Sequence, residues 1–205
     1  MDLMPTKIFI PMILKDCCNK LLFLIVALSL CSCQYFEKVK VKRIVNHTYG
    51  RQIDDSWTGV QIFEDTIIPV TNIVEKPITV ITCEEDNICP ECLGKYLRGA
   101  ESLVNFFDTD SVQFIEIIES QRYDDIQINI KGIDPNKVKV ICDVNKNFLT
   151  RNSLKNIPNR HLGILIDNKH RIILLGNPLR SNEVSELYRN TIRQMIGHGG
   201  TTQLK

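Results

Sequence analysis

The chain has 205 residues, 24% charged and 43% hydrophobic, which suits one globular domain with a short addition and excludes a disordered, collagen-like or coiled-coil chain. A formal net charge of +1 argues against a nucleic-acid binder, since phosphate neutralisation requires a concentrated basic face, and a single tryptophan, Trp57, speaks against an aromatic platform for single strands or sugars. Eight cysteines are many for a cytosolic chain of this size, and four of them (Cys17, Cys18, Cys31, Cys33) lie within the first 33 residues.

At the N-terminus, Lys7, Lys15 and Lys20 precede the apolar run LLFLIVALSL, Leu21 to Leu30. Ten residues make about 15 Å of helix, half of the ~30 Å core of a bilayer. A basic stretch before a short apolar one has the layout of a secretory signal. Leu30-Cys31-Ser32-Cys33 follows and resembles the bacterial lipobox, in which Leu stands three residues before the acceptor Cys and a small residue just before it. The resemblance implies that residues 1–32 are a lipoprotein signal and that Cys33 is acylated. Cys31 fits less well, because bulky Leu30 precedes it. The competing reading is an uncleaved membrane anchor. Loss of residues 1–32 would remove three Lys and two Asp from 25 basic and 24 acidic residues, leaving a formally neutral chain. By resemblance to lipoprotein sorting, Gln34 after the acceptor leans toward the outer membrane, facing the periplasm. Export also permits disulfides.

Residues 33–76 are expected to form an extended tether and an N-terminal β-extension. Val39, Val41 and Ile44 are β-branched among lysines, Asp54-Asp55-Ser56 is turn-like, and Val60 to Val70 is strand-like again, which suggests a hairpin. From Pro77 the alternation is clearer. Ile78 to Cys83 reads as a buried strand and Cys89 to Phe107 as a helix, with Leu93, Tyr96/Leu97, Ala100, Leu103/Val104 and Phe107 at three-to-four spacing. Val112 to Ile118 and Val138 to Cys142 are strands. Residues 123–133 alternate as a strand yet also match a helical stripe through Tyr123, Ile126, Ile130 and Ile133. Parallel neighbours need a crossover, so helix is preferred. Phe148 to Asn156 is a short helical piece. Leu162 to Asp167 and Arg171 to Leu175 form a hairpin around Asn168-Lys169-His170, and Asn182 to Ile196 is a closing amphipathic helix. Residues 198–205 read as a tail.

The chemistry centres on Cys89-Pro90-Glu91-Cys92, after the first core strand and opening the first long helix. A Cys at a helix N-terminus meets unpaired N–H groups and the positive dipole end, which favour its thiolate. Two-residue spacing lets the second sulfur, one turn on, reach the first. Pro90 suits a first turn, where its missing N–H costs nothing. In this geometry Cys89 attacks and Cys92, lying further inside, resolves the mixed disulfide. Glu91 between them opposes thiolate formation, so Cys89 is expected to be a less acidic thiol and the couple a reductant rather than an oxidant.

This arrangement resembles the thioredoxin-like family, in particular exported lipoproteins of the TlpA kind, over residues 77–197. The resemblance rests on CPEC after a strand, Gly163-Ile-Leu-Ile-Asp167, Arg171-Ile-Ile-Leu-Leu-Gly176-Asn-Pro178, and the last helix with Leu187-Tyr188. It implies an α/β fold with a central mixed sheet flanked by helices, and thiol–disulfide oxidoreductase activity on protein thiols or disulfides of the cell envelope. Pro90, Glu91 and His161 would line the substrate groove. His161 falls where the family carries a cis-proline facing the sulfurs. A cis bond before a non-proline costs about 3 kcal/mol, so a trans loop is expected there.

Two other readings stand beside this one. The first is a structural disulfide, or a redox-inactive fold of the same kind serving binding or assembly. The second is a metal site from Cys83, Cys89 and Cys92 with Cys142 or His161, for which the C-x5-C-x2-C spacing suits zinc poorly. Cys83 and Cys142, at strand ends, read as buried. Asp143 and Asp167 read as turn or cap residues, and no buried carboxylate near the dithiol is apparent. No cofactor, resident metal, nucleotide or nucleic acid is expected; Gly176-Asn-Pro is a turn rather than a phosphate loop.

Overall fold

The structure is a computed structural model and describes residues 42–85, 89–107, 110–158 and 161–198. The signal segment 1–32 and Cys33 lie outside the described residues. The described residues fall into two units, 42–47 and 48–198. Residues 42–48 are helical, which corrects the extended reading at Ile44. Ile44 and Val45 are half-buried while Lys42, Arg43, Asn46 and His47 are exposed, a pattern that one helical face accommodates.

In the second unit the order is β1 (Gly59–Ile62), β2 (Ile67–Val70), β3 (Ile78–Glu85), α1 (Pro90–Asn105), β4 (Val112–Glu119), α2 (Tyr123–Asn129), β5 (Val138–Cys142), α3 (Asn147–Arg151), β6 (Gly163–Ile166), β7 (Ile172–Leu175) and α4 (Asn182–Gly197). The strands form one mixed sheet in the order β2-β1-β5-β4-β3-β6-β7. β3, β4 and β5 are parallel, and the remaining pairs are antiparallel. The expected hairpin at residues 60–70 is present as β1–β2 and extends the sheet beyond β5. Helix wins over strand at residues 123–129 because β4 and β5 need a crossover. Ile126 and Ile130 are buried, and Ile128, the residue outside the helical stripe, is 66% exposed.

One sheet face, carrying Ile78, Val80, Phe114, Ile118 and Val140, is covered by Leu93, Leu97 and Ala100 of α1, Ile126 of α2, and Tyr188, Ile192 and Met195 of α4. Each Val, Leu, Ile, Phe or Met side chain among them contributes about 1.5–3 kcal/mol of transfer free energy. On β5, Ile141 points to the opposite face, where it meets the segment around Trp57. A Cβ on Gly59 would lie 2.6 Å from both Ile141 and Trp57, so only glycine lets that ring down onto the sheet. Trp57 in turn packs on Phe148, ring centroids 5.8 Å apart.

Both sheet edges are blunted. Residues 50–53 run along β7: Gly50 N–H donates to Ile172 O at 2.8 Å, Ile172 N–H to Arg51 O at 2.8 Å, and Ile53 N–H to His170 O at 2.9 Å. The opposite edge, β2, contains Pro69, which cannot donate to an added strand. The two aspartates at strand ends act as turn residues. Asp143 accepts the Phe148 N–H at 2.8 Å, and Asp167 accepts the N–H groups of Lys169 and Arg171 and pairs with the Arg171 guanidinium inside the β6–β7 turn.

Candidate active site

Cys89 is the N-cap of α1, with extended backbone (φ −61°, ψ 129°), and its carbonyl accepts the Leu93 N–H at 2.9 Å. Pro90 is the first helical residue, as expected of a position whose N–H would have no partner. Cys89 and Cys92 are free thiols, and both are exposed. The exposure of Cys92 corrects the expectation that it lies inside. Leu93 takes the inward position and starts the buried stripe, leaving Cys92 at the margin of the helix.

The two sulfurs are hydrogen-bonded to each other. The Cys92 thiol, then the Cys92 and Glu91 N–H groups, hold the Cys89 thiol below the ordinary cysteine range, against desolvation and the charge of Glu91. Cys92 is pushed up, chiefly because its proton is held in the bond to Cys89. The expected opposition from Glu91 is therefore real, but the donors outweigh it and Cys89 is the more acidic thiol, not a weakened one. The reason is contact: hydrogen bonds at the helix end act on the sulfur directly, whereas Glu91 is exposed and its charge is screened.

Sequence reasoning missed the polar cluster behind this motif. Register places Thr82 opposite Glu116 on the face that α1 covers. Thr82 Oγ1 donates to Glu116 Oε2, while Glu116 Oε1 is buried without a hydrogen-bond partner. Burial pushes the Glu116 carboxyl well above the usual carboxylate range, with the Thr82 bond and Arg180 only partly offsetting it. Tyr96 on α1 bonds to the Thr82 side chain and accepts from Asn177 Nδ2 at 2.8 Å. Glu84, 7% exposed near the end of β3, pairs with Arg180. Asn177 reaches Tyr96 because Gly163 and Gly176 approach closely. The Gly176 N–H donates to Gly163 O at 2.7 Å, and a Cβ on Gly163 would lie 2.6 Å from Gly176 O. The Gly-Asn-Pro turn thus seats the first long helix. Glu116 escaped notice because a carboxylate in a strand read alone passes for a solvent-facing residue, and only the register shows both strand faces covered.

His161 is exposed, and its N–H donates to Pro158 O at 2.8 Å. Gly163 is opposite Thr82, so His161, two residues earlier, lies at the end of the sheet from which β3 leads toward Cys89. Among the described residues no cis peptide bond occurs. Cys83 and Cys142 are buried, as expected, and register puts them on opposite sheet faces: Cys142 pairs with Ile118, whose face is that of Thr82 rather than Cys83. Burial, then the charges of Glu116, Glu119, Asp143 and Glu84, push the Cys83 thiol well up. Among the described residues no three His, Cys, Asp or Glu side chains converge as metal ligands would.

No protein-family model matches the chain, and no curated protein matches it. Among solved structures it is similar to thioredoxin peroxidase I from Plasmodium yoelii, at 16% identity over 77% of this chain and 95% of that one, with a TM-score of 0.54. The fold is thioredoxin-like. A reduced 2-Cys peroxiredoxin from Plasmodium vivax is similar at 14% identity, over 74% of this chain and 85% of that one, with a TM-score of 0.53. An uncharacterised thioredoxin-like protein from Porphyromonas gingivalis is 18% identical, over 75% and 97%, with a TM-score of 0.50. The thioredoxin-like fold bears out the expected central mixed sheet flanked by helices, with the β1–β2 hairpin as its N-terminal β-extension.

Proposed function

We propose that this protein is a thiol–disulfide oxidoreductase of the cell envelope, tethered by acylation of Cys33, that reduces protein disulfides through Cys89 and Cys92. The observation that carries the reading is the hydrogen-bonded pair of exposed thiols at the N-terminus of α1, where Cys89 is acidified and Cys92 keeps its proton. The Cys89 thiolate attacks a substrate disulfide, forming a mixed disulfide and expelling one substrate thiolate. Cys92, on losing its proton, attacks the Cys89 sulfur, forms the intramolecular disulfide and expels the second substrate thiolate. Two electrons pass to the substrate, and an external dithiol reductant restores the pair. Glu91 between the thiols opposes the thiolate and so tempers the oxidising character that an acidified Cys89 gives the couple; reduction is the direction proposed. Pro90, Glu91 and His161 flank the groove in this proposal.

The test is capture. Cys92→Ser should trap mixed disulfides with envelope proteins through Cys89, because attack proceeds and resolution does not; Cys89→Ser should trap none. Thiols that never pair across a range of glutathione buffers would overturn the reading. Cys33→Ser should abolish incorporation of labelled palmitate, and a variant that still incorporates it would refute the anchor alone.

A further inference from the structure

Arg180 stands where three elements meet. It belongs to the loop between β7 and α4. Its guanidinium pairs with Glu84 near the end of β3 and lies 6.0 Å from the ring centroid of Tyr96 on α1. Glu84 is five residues before Cys89, and Tyr96 is four residues, about one helical turn, beyond Cys92. One side chain therefore grips both the strand that enters the dithiol loop and the helix that leaves it. Asn177, from the same loop, adds its bond to the Tyr96 phenol, and Thr82 ties that phenol back to β3. A carboxylate as buried as Glu84 requires a charged partner, and Arg180 supplies it while its own side chain stays 42% exposed. Tyr96 lies one turn beyond the first turn of α1, whose Glu91 and Cys92 N–H groups point at the Cys89 sulfur.

We propose that Arg180 is a positioning residue for the dithiol: by holding Glu84 and Tyr96 together it fixes the first turn of α1 against the end of β3, and so sets how closely the helix amides approach the Cys89 sulfur. Its consequence for turnover rests on the oxidoreductase reading above, but its direct readout is the acidity of Cys89, which exists whether or not the pair cycles.

The experiment is the pH profile of iodoacetamide alkylation at Cys89 in the purified full-length chain, resolved by site with mass spectrometry. Arg180→Ala should move the midpoint up, but loss of a cation would do the same by charge alone. Glu84→Gln separates the two causes. Removing an anion by charge alone makes Cys89 more acidic; loosening the clasp makes it less acidic. The expected result is an upward midpoint in Glu84→Gln. A rise of one unit would leave about threefold slower alkylation below the midpoint, once the higher nucleophilicity of the weaker acid is counted. Arg180→Lys restores the charge without the flat guanidinium over Tyr96 and should recover only part of the shift. Should either variant unfold, Tyr96→Phe keeps the ring under Arg180, removes the phenol bonds, and should shift the midpoint in the same direction. A downward or unmoved midpoint in folded Glu84→Gln, or no shift in folded Arg180→Ala, would overturn the proposal. An upward shift in Glu84→Gln with thiols that never pair in glutathione buffers would support the clasp while removing the oxidoreductase reading.

Discussion

Cys83 sits near the end of β3, buried and within the field of Glu116, Glu119, Asp143 and Glu84, whereas Cys89, six residues later, is exposed at the N-terminus of α1 beneath the N–H groups of Glu91 and Cys92. The side chains are identical. Burial and surrounding anions keep the first a neutral apolar group, and hydrogen-bond donors turn the second toward a nucleophile. A strand end and a helix start, joined by one short loop, thus set two opposite chemistries. Cys142, buried in β5, belongs with Cys83.

The largest expected effect tests this contrast directly. At neutral pH, iodoacetamide should modify Cys89 on the order of a hundredfold faster than Cys83 in the folded chain, because the thiolate is the reacting species and access is required. Site-resolved mass spectrometry over a time course measures both rates, and unfolding in denaturant should bring them together. Comparable rates in the folded chain would erase the distinction.

Burial also raises the pKa of Glu116, on the opposite face of the sheet from Cys83, so the contrast extends to stability. Glu116 has its folded-state pKa raised, and stability is therefore fully present below the ordinary carboxylate value of 4.5 and is lost as pH rises from there toward the raised value. For one proton the loss is at most about 1.4 kcal/mol per pH unit within that window. Glu116→Gln cannot ionise and should flatten the decline, so that the variant gains on the natural protein as pH rises. Urea unfolding at several pH values checks the slope. Parallel curves would mean that Glu116 is ionised in the folded chain.

The sequence disclosed much of the plan and little of this chemistry. Period-two and period-3.6 patterns located the strands and helices of the second unit, including Val138–Cys142 with its observed bounds. The need for a crossover resolved residues 123–129. Strand ends marked Cys83 and Cys142 as core. What stayed hidden depends on register and on loops. Thr82 meets Glu116 only because β3 and β4 pair with a particular offset, and Arg180 meets Glu84 across 96 residues of chain. The exposure of Cys92 escaped the same reasoning: spacing puts it within reach of Cys89, but the rotation of α1, fixed by Leu93, Leu97 and Ala100, decides whether it faces inward. At Ile44, β-branching describes only a residue's preference, and the chain there is helical.

Within the exposed pair a smaller effect separates the two thiols. Cys92→Ala removes the leading donor to Cys89 and should raise the Cys89 pKa, leaving the helix-end N–H groups as the remaining support. The pH profile of alkylation at Cys89, resolved by site with mass spectrometry, measures it apart from the other thiols of the chain. A midpoint that stays in place would transfer the acidification wholly to the backbone.

The smallest expected effect belongs to Glu91. Its charge raises the Cys89 pKa but is the last of the influences on that sulfur, and it also raises Cys92. Glu91→Gln keeps the side-chain size and backbone N–H while removing the charge, so both thiols should become more acidic, each by less than the change produced at Cys89 by Cys92→Ala. Because the residue is exposed, added salt should mimic the substitution: raising ionic strength shortens the Debye length to about 3 Å at 1 M and screens Glu91 from both sulfurs. The natural chain in high salt and Glu91→Gln in low salt should then give nearly the same Cys89 midpoint. A large shift in Glu91→Gln that salt does not reproduce would show that the residue acts on the dithiol through geometry, and the contrast between Cys83 and Cys89 would then owe more to the shape of the first turn of α1 than to charge.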